Sequence, residues 1–266
     1  MEINPATIAA IYRYPVKGLS PQSLPRVRLA KGAMLPADRK YAIENGPSGF
    51  DPDSPRYFPK QRFLMLMRNE RLATLRTDYD DASDTLVINF EGREAVRADL
   101  RTAQGRLAVE AFFRRFMPKE LRGPPKVLAA PNHSFSDVSA KVVSIINLAS
   151  VAAVETAAGA AVDPLRFRGN VYVQDWPAWH EFELMGRELS IGEARLKVVK
   201  RIQRCAATDV DPVTGERDLQ LPRTLLQTFG HADCGVYAEV RAGGEIAVGD
   251  AVNKMAGDER RPQLPF

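Results

Sequence analysis

Glu188-Leu189-Ser190-Ile191-Gly192-Glu193-Ala194-Arg195-Leu196-Lys197-Val198-Val199-Lys200-Arg201 is the stretch that decides the fold class. Residues 188–191 and 194–201 are two runs of strand length, and Gly192-Glu193 between them is a hairpin-type turn. The same signature recurs in both directions. Residues 7–14 read as a strand ended by Pro15, 27–29 as a short one before Lys31-Gly32, and 39–43, 63–67 and 85–90 as three more. Further on come 141–147, 170–174, 236–241 and 245–248, with Gly243-Gly244 as a second hairpin-type turn. Helical spacing is found in fewer places. In 102–116, Leu107, Ala111, Phe112 and Phe116 share a face until Pro118 stops the helix. A short helix over 150–158 takes Ser150 as its N-cap, and another over 222–229 opens with Pro222. Many short strands, few helices and no regular strand–helix alternation predict a mainly β (α+β) chain built from barrel-like sheets.

Gly123-Pro124-Pro125 breaks the chain after the long helix, so the sequence divides near residue 120 into two domains, 1–120 and 121–266. The Gly-, Pro-, Asp- and Ser-rich segment 45–59 reads as a loop. A loop that long in a compact domain is often functional.

A net charge of +4, from 37 basic and 33 acidic residues, is a small excess. The arginines are scattered, which suits a pocket for an anionic small molecule better than a nucleic-acid stripe. With no zinc-finger, RNP-like or helix-turn-helix pattern, no nucleic acid is expected as a partner. No run of about 18 apolar residues is present, so no membrane-spanning helix is expected. Met1-Glu2-Ile3-Asn4-Pro5 lacks the pattern of a signal peptide, and the expectation is a cytoplasmic protein. Cys205 and Cys234 lie far apart in sequence and are expected to be free thiols.

The chemistry concentrates in Arg204-Cys205-Ala206-Ala207-Thr208-Asp209-Val210-Asp211-Pro212-Val213-Thr214-Gly215, where a cysteine follows a basic strand and precedes an Asp-Pro-x-Thr-Gly turn. A thiolate is a soft metal ligand and a nucleophile, and a neighbouring Arg favours the charged form of a thiol. One cysteine cannot build a zinc cage, so a metal held here needs further ligands, most simply from a cofactor. The competing reading is a buried cysteine acting as a small hydrophobe. Asp209 sits four residues past the thiol, where it could repel anions or donate a proton. The alternative for Asp209 and Asp211 is a turn role, bonding their own backbone.

Tyr14-Pro15-Val16-Lys17-Gly18, Ala37-Asp38-Arg39-Lys40-Tyr41, Val143-Ser144-Ile145-Ile146-Asn147, Arg166-Phe167-Arg168-Gly169-Asn170, Arg204-Cys205 with its turn, and Ile246-Ala247-Val248-Gly249-Asp250 occur in this order. The ordered set resembles a MOSC-domain protein with an N-terminal MOSC β-barrel domain, of the amidoxime-reducing-component type and its bacterial relatives. The resemblance covers about residues 7–253. It implies a molybdenum–pyranopterin cofactor bound between the two domains, with Cys205 as the thiolate ligand to the metal. Lys17, Arg39, Lys60, Arg168, Asn170, Arg204, Thr208 and Asp211 are the positions it implies for cofactor binding, and Cys205 with Asp209 for catalysis. Asp209 departs from the threonine common in that branch. Cys234 falls in a segment the family fills with other residues and is read as structural. His133, His180 and His231 are too dispersed for a zinc site and match no family motif.

The resemblance implies reduction of N-hydroxylated compounds, with electrons from a separate flavin, ferredoxin or cytochrome partner, because the chain's two cysteines are too few for an iron–sulfur cluster held by four thiolates. The alternative is a molybdenum-cofactor or sulfur carrier related to cofactor sulfurases. A label of pyridoxal-phosphate binding would follow only from that association, since no Schiff-base lysine context is evident. A third reading is a non-catalytic binding module.

Overall fold

The structure is a computed structural model that describes residues 5–255. The strands are β1 (Ala6–Arg13), β2 (Gln22–Leu24), β3 (Arg26–Leu29), β4 (Ala42–Asn45), β5 (Arg76–Asp80), β6 (Thr85–Phe90) and β7 (Arg93–Asp99). Helix α1 (Ala103–Phe116) follows, then β8 (Pro125–Leu128), β9 (Val143–Asn147), α2 (Leu148–Ala158), β10 (Val171–Gln174), α3 (His180–Glu183), β11 (Glu188–Ile191) and β12 (Ala194–Gln203). The chain continues with α4 (Leu221–Phe229), β13 (Asp233–Ala242), β14 (Gly244–Ala247) and β15 (Ala251–Lys254).

A closed barrel of seven strands runs β10-β9-β13-β12-β11-β15-β1 and back to β10. Its closure depends on the first strand of the chain. Thr7 and Ile8 pair with Gln174 and Val173, and Ala6 and Thr7 pair with Val252 and Ala251. A bulge interrupts the β1–β10 register between Ile8 and Ala10, and on its other edge β1 passes from β15 to β2, which pairs with Ile11 to Arg13. Only β9 and β10 run parallel among the pairs of the barrel. Ile8, Ile11, Ile145, Val173, Leu196, Val198 and Val236 fill the interior, all nearly inaccessible. Each such side chain contributes about 1.5–3 kcal/mol of transfer free energy.

A second core runs from Val16 to Val127, and in it the β5-β6-β7 sheet packs on α1 through Leu86, Ile88, Val109, Phe112 and Phe113. The division by sequence near residue 120 does not coincide with strand pairing. Besides β1 in the barrel, β3 pairs with β14, and β8 pairs back onto β4. Val210 is buried in this second core, and Ala207 packs against it. The turn after Cys205 is thereby tied to the first half of the chain.

The hairpin at Gly192-Glu193 joins β11 to β12 as expected. Several local expectations are corrected. Of the expected strand 39–43, only Ala42 and Ile43 lie in a strand, β4; Tyr41 makes a single bridge to Val16, and the chain before it is a turn with Ala37 and Arg39 at positive φ of 58° and 52°. The apolar run 63–67 is also not a strand. Phe63 makes one bridge to Glu44, and the chain then turns back, because Asn69 Oδ1 accepts from Met65 N at 3.2 Å. Asn147, not Ser150, caps α2, by accepting from Ala149 N. Gly243-Gly244 is no hairpin, since β14 leaves β13 for β3. Leu107 faces solvent on α1, and the buried stripe is Val109, Phe112, Phe113 and Phe116. Helix α4 begins at Leu221, one residue before Pro222. Among the described residues no helix is long and apolar enough to cross a membrane.

Candidate functional site

The end of β12 delivers Cys205 into a cavity of about 250 Å3 between the barrel and the first half of the chain. The backbone turns at once, with Thr208 N and Oγ1 both donating to Cys205 O at 3.0 Å. Thr208 is buried, so this turn is fixed from within. The cation on the cysteine sulfur is Lys60, whose Nζ donates to Sγ at 3.1 Å. Arg204 does not take that place. Its Nε donates to Cys234 O and its Nη1 to Phe167 O, each at 2.7 Å, so the guanidinium fastens two backbone segments under the cavity. Gly235, at φ 79°, makes room for it: a Cβ there would lie 2.6 Å from Ile145 O and 3.2 Å from Arg204 Nη2.

Asp137 links the cations. Its Oδ1 accepts from the buried Lys17 Nζ at 2.5 Å, and its Oδ2 lies 3.4 Å from Lys60 Nζ. Lys17 also donates to Phe135 O at 2.8 Å. Burial alone would raise the Asp137 carboxyl, but Lys17, Lys60 and Arg39 outweigh it and hold it well below the usual carboxylate range. Burial pushes the Lys17 ammonium down, opposed by Asp137. For Lys60 burial acts the same way, yet Asp137 and Cys205 prevail and raise it. A carboxylate, two ammoniums and a thiol thus form one chain of contacts. Sequence reading missed Asp137, which lies in an irregular segment without a spacing motif.

The opposite wall is an arginine pair. Tyr14, fully buried, has the Arg39 guanidinium 4.9 Å from its ring centroid and that of Arg168 at 4.1 Å. Both arginines adopt left-handed backbone conformations, φ 52° and 50°, which non-glycine residues take when the surroundings hold them there. Arg39 Nη2 donates to Arg168 O at 3.1 Å, Arg39 pairs with Asp38, and Arg168 Nη2 donates to Leu19 O at 2.9 Å.

Lys17, Arg39, Lys60, Arg168, Asn170, Arg204, Cys205 and Thr208 all line this cavity, whereas Asp209 and Asp211 do not. The Asp209 carboxylate accepts from Leu221 N at 2.8 Å at the start of α4. Asp211 Oδ1 accepts from Val213 N and Thr214 N, which closes the turn, and its Oδ2 meets Arg166 at 3.0 Å. Asn170 directs its amide to the backbone: Oδ1 accepts from Ser144 N and Oγ, and Nδ2 donates to Tyr12 O. Arg166, Lys200 and Arg201 also line the cavity, so basic side chains far outnumber its two carboxylates, Asp38 and Asp137. The arrangement suits a multiply charged anion with a soft centre near Cys205.

Cys205 and Cys234 are free thiols. Cys234 is fully buried, and burial pushes its thiol up to about 12, as befits a core side chain. His133, His180 and His231 stand apart from the cavity, and among the described residues no group of three or more His, Cys, Asp or Glu side chains could hold a metal ion.

Residues 5–117 match the family model of the MOSC N-terminal beta barrel domain, and residues 130–253 match that of the MOSC domain. The chain belongs to the MOSC family. Mitochondrial amidoxime reducing component 2 from Bos taurus is 31% identical over 125 residues, which is 42% of this chain and 37% of that protein. The match thus spans little more than a third of the relative's length. Among solved structures, the YUAD protein from Bacillus subtilis is 12% identical, with 94% of each chain covered and a TM-score of 0.44. YiiM from Geobacillus stearothermophilus is 18% identical over 42% of this chain and 53% of its own, with a TM-score of 0.34. In this MOSC chain, Cys205, Lys60, Asp137 and Arg168 all belong to one cavity whose wall spans both family regions.

Proposed function

We propose that this MOSC protein is a molybdenum-cofactor oxidoreductase that reduces N-hydroxylated small molecules with electrons from a separate redox protein. The observation that carries the reading is the placement of Cys205 Sγ in a cavity dominated by cations, 3.1 Å from Lys60 Nζ. A single cysteine sulfur with no His in the cavity, and with both of its carboxylates, Asp38 and Asp137, engaged by cations, suits a metal that arrives with its own sulfur ligands. Cys205 would ligate the metal, while Arg39 and Arg168 on Tyr14, with Lys17, would hold the cofactor's anionic groups. When bound, the cofactor supplies two-electron oxygen-atom chemistry at the metal. The chain's own residues would orient it, with the buried Thr208 fixing the turn that presents Cys205 and with Lys60 and Lys17 offering protons beside Asp137. The substrate class follows the name of the amidoxime reducing relative, and the separate electron donor follows from a chain whose two cysteines are too few for a cluster held by four thiolates.

The test is molybdenum by elemental analysis, with pterin by fluorescence after oxidative release, on wild type and Cys205→Ala made in a cofactor-competent host. About one molybdenum per chain in wild type, lost or spectrally altered in the variant, is expected. Wild type without molybdenum would refute the reading in favour of a sulfur carrier or a non-catalytic binding module. Turnover of an N-hydroxy compound with a chemically reduced electron donor then tests the reaction itself.

A further inference from the structure

The long loop after β4, residues 46–59, has a place in the site that the cofactor reading leaves unused. Tyr57 Oη donates to Asp137 O at 3.2 Å, which ties the loop across the cleft to the residue that bridges Lys17 and Lys60. Behind this tie lies a second cavity of about 190 Å3. It shares Asp38, Ser136, Val138 and Val142 with the first, so the two chambers have a common wall. A cavity of ~150 Å3 takes a benzene ring, so a small aromatic body fits.

Its charge is one-sided. Arg56 and Lys141 are exposed at its edge, and neither forms an ion pair with any described residue. The one carboxylate lining it, Asp38, is engaged by Tyr14 N and by Arg39. His133 also lines the cavity, with its ring 5.4 Å from Phe50 and 4.8 Å from Phe135. Burial pushes the His133 imidazole down, so it presents a neutral aromatic face at pH 7.

We infer that this second chamber is a substrate subsite, which receives the aromatic body of an N-hydroxylated compound and pairs a carboxylate at its far end with Arg56 and Lys141. The inference rests on the reductase reading for the identity of the reacting group. The observation behind it is the common lining by Asp38, Ser136, Val138 and Val142, which sets the second chamber directly beside the one that holds Asp137 and Lys60. Loops carried on a rigid barrel commonly set specificity in this way.

The test is calorimetric binding of benzamidoxime and of 4-carboxybenzamidoxime to the oxidised, molybdenum-loaded protein without an electron donor, so that no turnover intervenes. The carboxylated compound is expected to bind roughly fivefold tighter, the effect of two solvent-facing ion pairs. Arg56→Glu combined with Lys141→Glu should abolish that advantage, read as the ratio of the two affinities within the variant. Equal binding in wild type, or an advantage that survives the double reversal, overturns the subsite. Both positions are exposed, so the variant's fold is not at risk, and its molybdenum content serves as the check. Turnover with a chemically reduced donor separates the two ideas: no reduction of either compound would refute the reductase reading, whereas the binding data judge the subsite on their own.

Discussion

Arg166→Met is the sharpest test of how the barrel holds the cysteine turn. The Arg166 side chain is 2% exposed and bonds four acceptors on the segment after Cys205. Its Nη1 donates to Asp218 Oδ1 at 2.8 Å and to Asp209 O at 3.2 Å. Its Nη2 donates to Asp218 Oδ2 at 2.7 Å and to Asp211 Oδ2 at 3.0 Å. Hydrogen bonds to charged groups contribute about 1.5–3 kcal/mol each, and breaking a buried pair costs about 3–5 kcal/mol. Asp211 and Asp218 are 23% and 43% exposed, so they rehydrate once the arginine is gone. Methionine also refills most of the volume. The expected loss is therefore at the lower end, about 3 kcal/mol. Urea unfolding at pH 7 should show the midpoint falling by roughly 1 M with an unchanged slope. A pH series adds a second reading. Burial raises the Asp211 carboxyl, but the Thr214 and Val213 amides and Arg166 pull it below its ordinary value. A depressed carboxylate stabilises the fold above the ordinary carboxylate range, and this is lost as pH falls through the folded value. The gap between wild type and variant should therefore narrow in acid. A loss under about 1 kcal/mol at pH 7, or a gap that stays constant down to about pH 3, would refute the argument.

Two further outcomes follow from the same geometry. Tyr14→Leu removes the ring between Arg39 and Arg168, and in cofactor-free protein it should weaken binding of inorganic phosphate about tenfold in calorimetry, while Tyr14→Phe keeps wild-type affinity. Equal affinities for the Phe and Leu variants would show that the ring does not set the arginines. Gly235→Ala places a methyl 2.6 Å from Ile145 O at φ 79° and should lower stability by about 3 kcal/mol in thermal unfolding, with loss of molybdenum content; a near-neutral result would mean that the crowding around Arg204 is relaxed cheaply.

Residues 188–201 formed the hairpin that their sequence announces, because Gly192 supplies a turn between two runs that each bury one face. The basic motif positions around Lys17, Arg39, Arg168 and Cys205 also share one cavity, and all could be singled out in the sequence. Other features were not legible. Nothing in the composition of 37–41 shows that Arg39 must take a left-handed backbone, since that conformation is imposed by packing against Tyr14 and Arg168. Asp209 looked available for chemistry because it lies near the cysteine in sequence. In space its carboxylate meets Leu221 N instead, a partner twelve residues on. Asp137 and Arg166 were hidden for the same reason: their roles are defined by partners far away along the chain.

By itself the sequence determined the class of architecture, the hairpin turn at Gly192-Glu193, and a cysteine presented at a strand end among basic residues, because local backbone preference and short-range periodicity act within a few residues. Only the tertiary structure decided which strand closes the barrel, which cation touches the cysteine sulfur, and which carboxylates face the cavity. Closure by β1 joins residues 7–11 to 171–174, and the contact of Lys60 with Cys205 joins two loops from different halves. Such contacts are selected by burial and charge pairing across the whole chain, after the local elements have formed, and no window of sequence contains both partners.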